Sequence, residues 1–142
     1  MERKWVVKTK RSLEVEAQKS LLEPLLDVFT RDLKDGNCPD DKIELIRICA
    51  EEIFVNIASY AYTDQDGLVN IEEEVGNNTI EVTFADEGVA YNPLEKEDPD
   101  VTAPLPEREI GGLGIFMVKQ MADEVKYRYE NNMNYLYMKC SW

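Results

Sequence analysis

Arg108-Glu-Ile-Gly-Gly-Leu-Gly-Ile-Phe-Met117 sets Gly111, Gly112 and Gly114 directly ahead of an apolar helical stretch over 115–122. A tight glycine turn feeding a helix leaves backbone N–H groups unpaired at the helix start. With the positive end of the helix dipole, those donors form a ready site for phosphate. The same cluster also reads as a plain flexible turn before a helix. What stands upstream decides between the two.

Immediately upstream, 92–110 has no periodicity and holds four of the chain's six prolines. It reads as a long loop, of the kind that is functional or disordered in a compact domain. Before it come two alternating runs, Val69, Ile71 and Val75, then Ile80, Val82 and Phe84, joined by Gly76-Asn77-Asn78. That pattern is a hairpin with one apolar face. A second hairpin closes the chain: Val125, Tyr127 and Tyr129 share one face, Leu136, Met138 and Cys140 another, with Asn131-Asn132 at the turn.

Further upstream, Asp40 or Asp41 caps a helix that runs to about Ala61, with apolar residues nearly all round it, as a central buried helix has. Helical spacing over 12–34 puts Leu22, Leu25, Leu26, Phe29 and Leu33 on one face. Pro24 kinks that helix or marks its true start, and Gly36 is its C-cap. Residues 5–9 read as a short opening strand. The expected fold is α+β, a two-layer sandwich in one domain over 1–142: a mostly antiparallel sheet covered on one face by helices.

Composition narrows the function. The 142 residues are 44% hydrophobic and 32% charged, as in a soluble globular protein, and no apolar run suits a membrane span or a signal peptide. The expected location is the cytoplasm. Three cysteines with no paired spacing read as reduced thiols, neither a disulfide frame nor a zinc site. The chain has no histidine, so a Ser-His-Asp triad and a histidine nucleophile are excluded. A net charge of −13 repels nucleic acid, and any phosphate ligand must be met by backbone donors, a cation or both.

Two further clusters precede the glycines. In Ala50-Glu-Glu-Ile-Phe-Val-Asn-Ile-Ala-Ser-Tyr-Ala-Tyr62, Glu52 and Asn56 lie four apart on one helix face, continued by Ser59 and Tyr60, while Glu51 points about 100° away into solvent. Polar side chains there are costly unless partnered, so they bond inside the core, meet solvent or serve a site. In Ala85-Asp-Glu-Gly-Val-Ala-Tyr-Asn-Pro93, Asp86 ends a strand with Gly88 two residues on. Such a turn allows close backbone approach and aims a carboxylate at a donor.

Helical Glu-x-x-x-Asn, Asp-x-Gly after a strand and Gly-Gly-x-Gly before a helix, in that order, resemble the GHKL ATPase superfamily of gyrase B, heat-shock chaperones, histidine kinases and MutL. The resemblance runs from about residue 12 to the end. It is nearest to the anti-sigma factor serine/threonine kinases, whose pattern the tail Met121-Ala-Asp-Glu-Val-Lys-Tyr-Arg-Tyr-Glu-Asn-Asn-Met-Asn134 also resembles. It implies the Bergerat-type ATPase fold, ATP or ADP with Mg²⁺, and 92–110 as the ATP lid. Asn56 would ligand Mg²⁺, Asp86 would accept the adenine amino proton, and Gly88 would belong with Asp86 to the first glycine box of the nucleotide site. Gly111, Gly112, Leu113 and Gly114 would form the phosphate wall, and Arg108 in the lid would contact phosphate. Glu52 would be the general base drawing a proton from a serine or threonine hydroxyl or from water.

Tyr60 stands where the anti-sigma kinases commonly carry histidine; in other branches a tyrosine there can touch phosphate. Asn92-Pro93 replaces a frequent Asp-Pro, and without histidine the chain cannot autophosphorylate as a histidine kinase. The implied partners are a small anti-anti-sigma-like (STAS-type) protein and a sigma factor, with no nucleic acid, no membrane and an expected homodimer. Phosphotransfer and a nucleotide-dependent interaction module without transfer both stay open.

Overall fold

The strands Thr9–Glu16 (β1), Leu68–Gly76 (β2), Thr79–Asp86 (β3), Glu124–Glu130 (β4) and Met133–Ser141 (β5) pair antiparallel in one sheet, in the order β1-β2-β3-β5-β4. The computed structural model describes residues 8–62, 66–95 and 112–142. The β2–β3 and β4–β5 turns put both central asparagines in the left-handed region, with φ of 55° and 61° at Asn77 and Asn78 and 54° and 63° at Asn131 and Asn132. Two consecutive positive φ values give the type I′ turn, whose twist matches the strands and fixes their register. That register turns Val69, Ile71, Val75, Ile80, Val82 and Phe84 onto one buried face, as alternation predicts.

Among the described residues three helices cover that face: Leu22–Asp35 (α1), Asp40–Tyr60 (α2) and Gly112–Met121 (α3). The α+β sandwich expected from the sequence is the observed one. No described helix is long and apolar enough to cross a membrane.

The N-terminal expectation is corrected. Residues 12–16 belong to β1, where Leu13 and Val15 face inward between exposed Glu14 and Glu16. The opening strand therefore starts at Thr9, where the 5–9 expectation ended it; 1–7 lie outside the described residues. The helix starts at Leu22, so Pro24 sits in its first turn, where its missing N–H is no loss.

Gly36 is the C-cap, but the left-handed residue is Asn37, at φ 66°. Cys38 N–H bonds Leu33 O at 2.9 Å and Asn37 N–H bonds Lys34 O at 3.0 Å, which closes a Schellman motif. A Cβ on Gly36 would stand 2.8 Å from Val75 Cγ1, so this cap is pressed onto β2. The N-cap of α2 is Pro39, not Asp40 or Asp41; both aspartates lie in the first turn, where their charge favours the helix dipole. The buried residues of α2 are Ile43, Ile46, Cys49, Ala50, Ile53 and Phe54, and beyond Phe54 it is only partly covered. All three cysteines are free and buried.

One member of the inward row of β2 is not apolar. Glu73 lies between Ile71 and Val75 with 1% of its surface exposed. Opposite it on β1 is Arg11, whose Nε and a second nitrogen hold the buried Asp32 of α1 at 2.8 and 2.9 Å. Arg11 Nε is 3.6 Å from Glu73, and neither Glu73 oxygen receives a hydrogen bond. A protonated Glu73 donating to Asp32 resolves this. Burial, then Asp32, pushes the Glu73 carboxyl up to about 9. Burial also pushes Asp32 upward, but the hydrogen bonds from Arg11 and Glu73 outweigh it and hold Asp32 below its ordinary value.

The linkage sign follows. Between the ordinary carboxylate range and about 9, the folded chain keeps a proton on Glu73 that the unfolded chain releases, so stability falls as pH rises through that window. Glu73→Gln keeps the donor and removes the titration. Thermal unfolding at about pH 8 should place this variant above the wild type by roughly 3 °C or more, with the gap closing toward about pH 5. A gap constant across that range would rule out a protonated Glu73.

Candidate functional site

Past Phe54, α2 leaves the core and its last turns wall a cavity. Asn56, Tyr60 and Asp86 line this cavity, which is partly open to solvent, together with Ile53, Tyr127 and Asn134. The remaining walls are mainly apolar or aromatic, including Ile57, Val89, Tyr91 and Ile115. Tyr60 stands at the exposed end of α2, and Glu51, expected in solvent, is partly buried.

Asp86 is a buried carboxyl group on this cavity's wall, 4% exposed. Its Oδ1 accepts from Gly88 N–H at 2.9 Å and from Asn134 Nδ2 at 3.0 Å. Burial raises its carboxyl above the ordinary range, and those two donors pull it partway back. Gly88 has a steric reason: a Cβ there would overlap the Ala61 carbonyl oxygen at the end of α2. The turn lies on that helix end, where Val89 N–H bonds Ala61 O at 3.0 Å. A second latch is Tyr62, whose hydroxyl donates to Leu68 O at 2.7 Å and accepts from Glu87 N–H at 2.9 Å. Its ring lies so close to Gly67 that no side chain fits there.

Glu52 lies one turn before Asn56 and is not part of the cavity wall. Its carboxylate lies against Gly114, where a Cβ would overlap Oε2. Burial, then neighbouring Glu51, raises the Glu52 carboxyl above its ordinary value. The glycines differ from expectation as well: Gly112 opens α3 and Leu113 and Gly114 follow within it, so the helix begins at the cluster and not at Ile115. Gly111, Arg108 and most of the 92–110 segment lie outside the described residues. Of that segment, 93–95 form a 3-10 turn started by Asn92, whose Oδ1 accepts from Leu94 N–H at 2.9 Å.

Asn134 was not singled out by sequence reasoning. It is buried at an inward position of β5, directly opposite Asp86 and in step with Leu136, Met138 and Cys140. The available signal was its parity: a polar residue on an apolar row. Among the described residues no group of three or more histidine, cysteine or carboxylate side chains is placed to hold a metal ion. A cation here would rest on an amide such as that of Asn56 and on oxygens brought by its ligand.

The family model that matches is the histidine kinase-like ATPase domain, over residues 15–140. Among curated proteins, serine-protein kinase RsbW of Bacillus thuringiensis (strain Al Hakam) is 28% identical over 103 residues, 70% of this chain and 64% of that protein. RsbW of Bacillus anthracis gives the same figures. RsbW of Bacillus cereus (strain ATCC 10987 / NRS 248) is 27% identical over the same shares. The match spans 64% of the length of these relatives.

Gly88→Ala should cost on the order of 2 kcal/mol or more, because the clash is with helix backbone that cannot step aside. Gly76→Ala is the control, since its Cβ would come closest to the Lys8 side chain, Cγ at 2.9 Å, with the Lys8 backbone no nearer than an ordinary contact at 3.6 Å. Thermal unfolding should show a drop of roughly 6 °C for the first and little for the second. Equal melting temperatures would mean the turn does not depend on contact with Ala61.

Proposed function

We propose a function that starts from a plain fact: the chain belongs to the histidine kinase-like ATPase family. On our reading it binds ATP and ADP with Mg²⁺ and transfers the γ-phosphate to a serine or threonine of a small anti-anti-sigma-like (STAS-type) partner. A sigma factor is the second expected partner. The observation that carries the reading is the cavity chemistry: mostly apolar walls around one buried carboxylate, Asp86, with Asn56 on the same wall as Tyr60. Apolar walls suit the faces of a purine, and an acceptor among them suits an exocyclic amine. The RsbW relatives, named serine-protein kinases, support the choice of acceptor.

In the proposed transfer Glu52 takes the proton of the partner's hydroxyl. The hydroxyl oxygen bonds to the γ-phosphorus, the bond to the bridging oxygen breaks, and ADP leaves with that oxygen. A carboxyl raised by burial is better matched to taking a proton near neutral pH than an exposed one. Mg²⁺, when bound, would neutralise phosphate oxygens, with Asn56 as a protein ligand. Gly112, Leu113 and Gly114, at the start of α3, are the backbone donors nominated for phosphate, joined by Gly111 and Arg108. The competing reading is a nucleotide-dependent interaction module without transfer. What favours it is that Glu52 lies against Gly114 and outside the cavity wall.

Calorimetry should show Mg²⁺-dependent ADP binding in the micromolar range, about −8 kcal/mol. No binding by folded protein at millimolar MgADP would reject both readings. Glu52→Gln separates them: γ-phosphate transfer to the partner should vanish while ADP affinity stays within about twofold. Transfer that survives the substitution removes Glu52 as the base, and a wild type that never transfers leaves the interaction module.

A further inference from the structure

Asn134 has a hydrogen-bond pattern that fixes which way its amide faces. Tyr91 N–H, 3.1 Å from Asn134 Oδ1, can only donate, so that atom must be the carbonyl oxygen. The Tyr127 hydroxyl lies on the same oxygen. The amide nitrogen is thereby turned to Asp86 Oδ1 at 3.0 Å, Val89 O at 3.0 Å and Gly88 O at 3.4 Å. One side chain thus ties β5, β4 and the turn after β3 to the one buried carboxylate that the described residues give the cavity. Asp86 receives both of its described side-chain bonds on Oδ1, which leaves Oδ2 without one among the described residues.

We propose that Asn134 is a positioning residue for base recognition: it holds Asp86 as an acceptor with one edge open, so that the cavity selects a base carrying an exocyclic amine. The proposal rests on the nucleotide reading above and adds to it the residue that makes Asp86 selective. Without the Asn134 donor, Asp86 keeps only Gly88 N–H against the cost of burial. Among the described residues the ionisable groups that face it are the phenols of Tyr62 and Tyr127, with Glu87 beside it in the chain. Burial first, and Asp86 among the later causes, pushes both phenols above their ordinary range, so they remain neutral donors around neutral pH.

Two variants give opposite pH slopes. Asn134→Leu removes the donor, so Asp86 binds a proton more readily and its acceptor edge fails first at low pH. Asn134→Asp has nearly the same shape. Protonated, its carbonyl oxygen accepts from Tyr91 and Tyr127 while its O–H donates to Asp86; ionised, it repels Asp86. It also keeps the test alive if the leucine variant does not fold, which circular dichroism reads.

Calorimetry with MgADP and MgIDP, the second lacking the amine, is run between about pH 6 and about pH 8.5. Wild type should prefer ADP by about tenfold or more throughout. Asn134→Leu should lose about tenfold in ADP affinity at the acid end and recover toward the alkaline end. Asn134→Asp should do the reverse, and both should bring ADP and IDP closer together. Flat profiles that match the wild type overturn the proposal. Equal losses at every pH also overturn it, since a merely structural role predicts them. Carbon-13 NMR titration of Asp86 in nucleotide-free protein is the second measurement: an unchanged midpoint in Asn134→Leu refutes the positioning role whether or not nucleotide binds. A shifted midpoint, in a wild type that binds neither nucleotide, sinks the nucleotide reading and its base recognition and leaves Asn134 as the group that sets Asp86.

Discussion

The inner face of the sheet must be kept dry, and α2 does much of the covering. Its residues from Ile43 to Phe54 bury Ile53 and Phe54 completely against a face that carries Ile71, Ile80 and Phe84. Each such side chain contributes on the order of 2 kcal/mol relative to exposure, so the seating of this helix is not adjustable. The site inherits that rigidity. Asn56 and Tyr60 stand on the continuation of the same helix, past the point where it runs off the core. A rigid rod anchored in the core and projecting over the strand ends is what leaves a cavity between α2, the turn after β3 and β5.

Three glycines let neighbouring elements touch. Gly88 lets the turn after Asp86 lie on the end of α2, Gly67 accepts the ring of Tyr62, and Gly114 lets α3 approach Glu52. A side chain at Gly88 would push its turn off the end of α2, whereas one at Gly67 or Gly114 would displace the Tyr62 ring or the Glu52 carboxylate. None of the three has a positive φ, so their value is the missing Cβ and not the backbone freedom usually credited to glycine. The left-handed positions are filled by asparagines at the hairpin turns and after α1.

Most of the fold was legible because its signals are periodic. The β2–β3 and β4–β5 hairpins announced themselves by alternation and by paired asparagines, and the cap at Gly36 by its place after the last leucine. The strand β1 was missed because only Leu13 and Val15 mark it, and the leucines of α1 follow closely enough to absorb it into one helical pattern. The cap of α2 was misassigned because Asp40 and Asp41 are the stronger capping types, while the observed cap, Pro39, bonds through no side chain. In the site, Asp86 was legible from the turn chemistry that follows it. Glu73 and Asn134 were not, because each is polar at an inward position. Only the register, which sets Glu73 opposite Arg11 and Asn134 opposite Asp86, shows what partners them. Periodicity locates a face but does not reveal which polar residues on it are satisfied.

The charge of the site agrees with the proposed ligand only if base and phosphates are kept apart. A cavity lined mostly by apolar groups with a buried carboxylate rejects an anion, whose desolvation it cannot repay, and accepts a neutral base with a donor edge. The phosphates must then extend toward Glu52 and the start of α3, where a carboxylate already lies against Gly114. Two anions cannot share that place without a cation between them or a shift of the carboxylate. On the proposed reading the ligand for such a cation is Asn56, one helical turn from Glu52 and on the cavity wall. On the proposed reading the helix therefore spaces three tasks one turn apart: Glu52 for the proton, Asn56 for the cation, Tyr60 at the rim. A chain of net charge −13 can then hold a polyanion without a basic patch, through a metal and backbone amides.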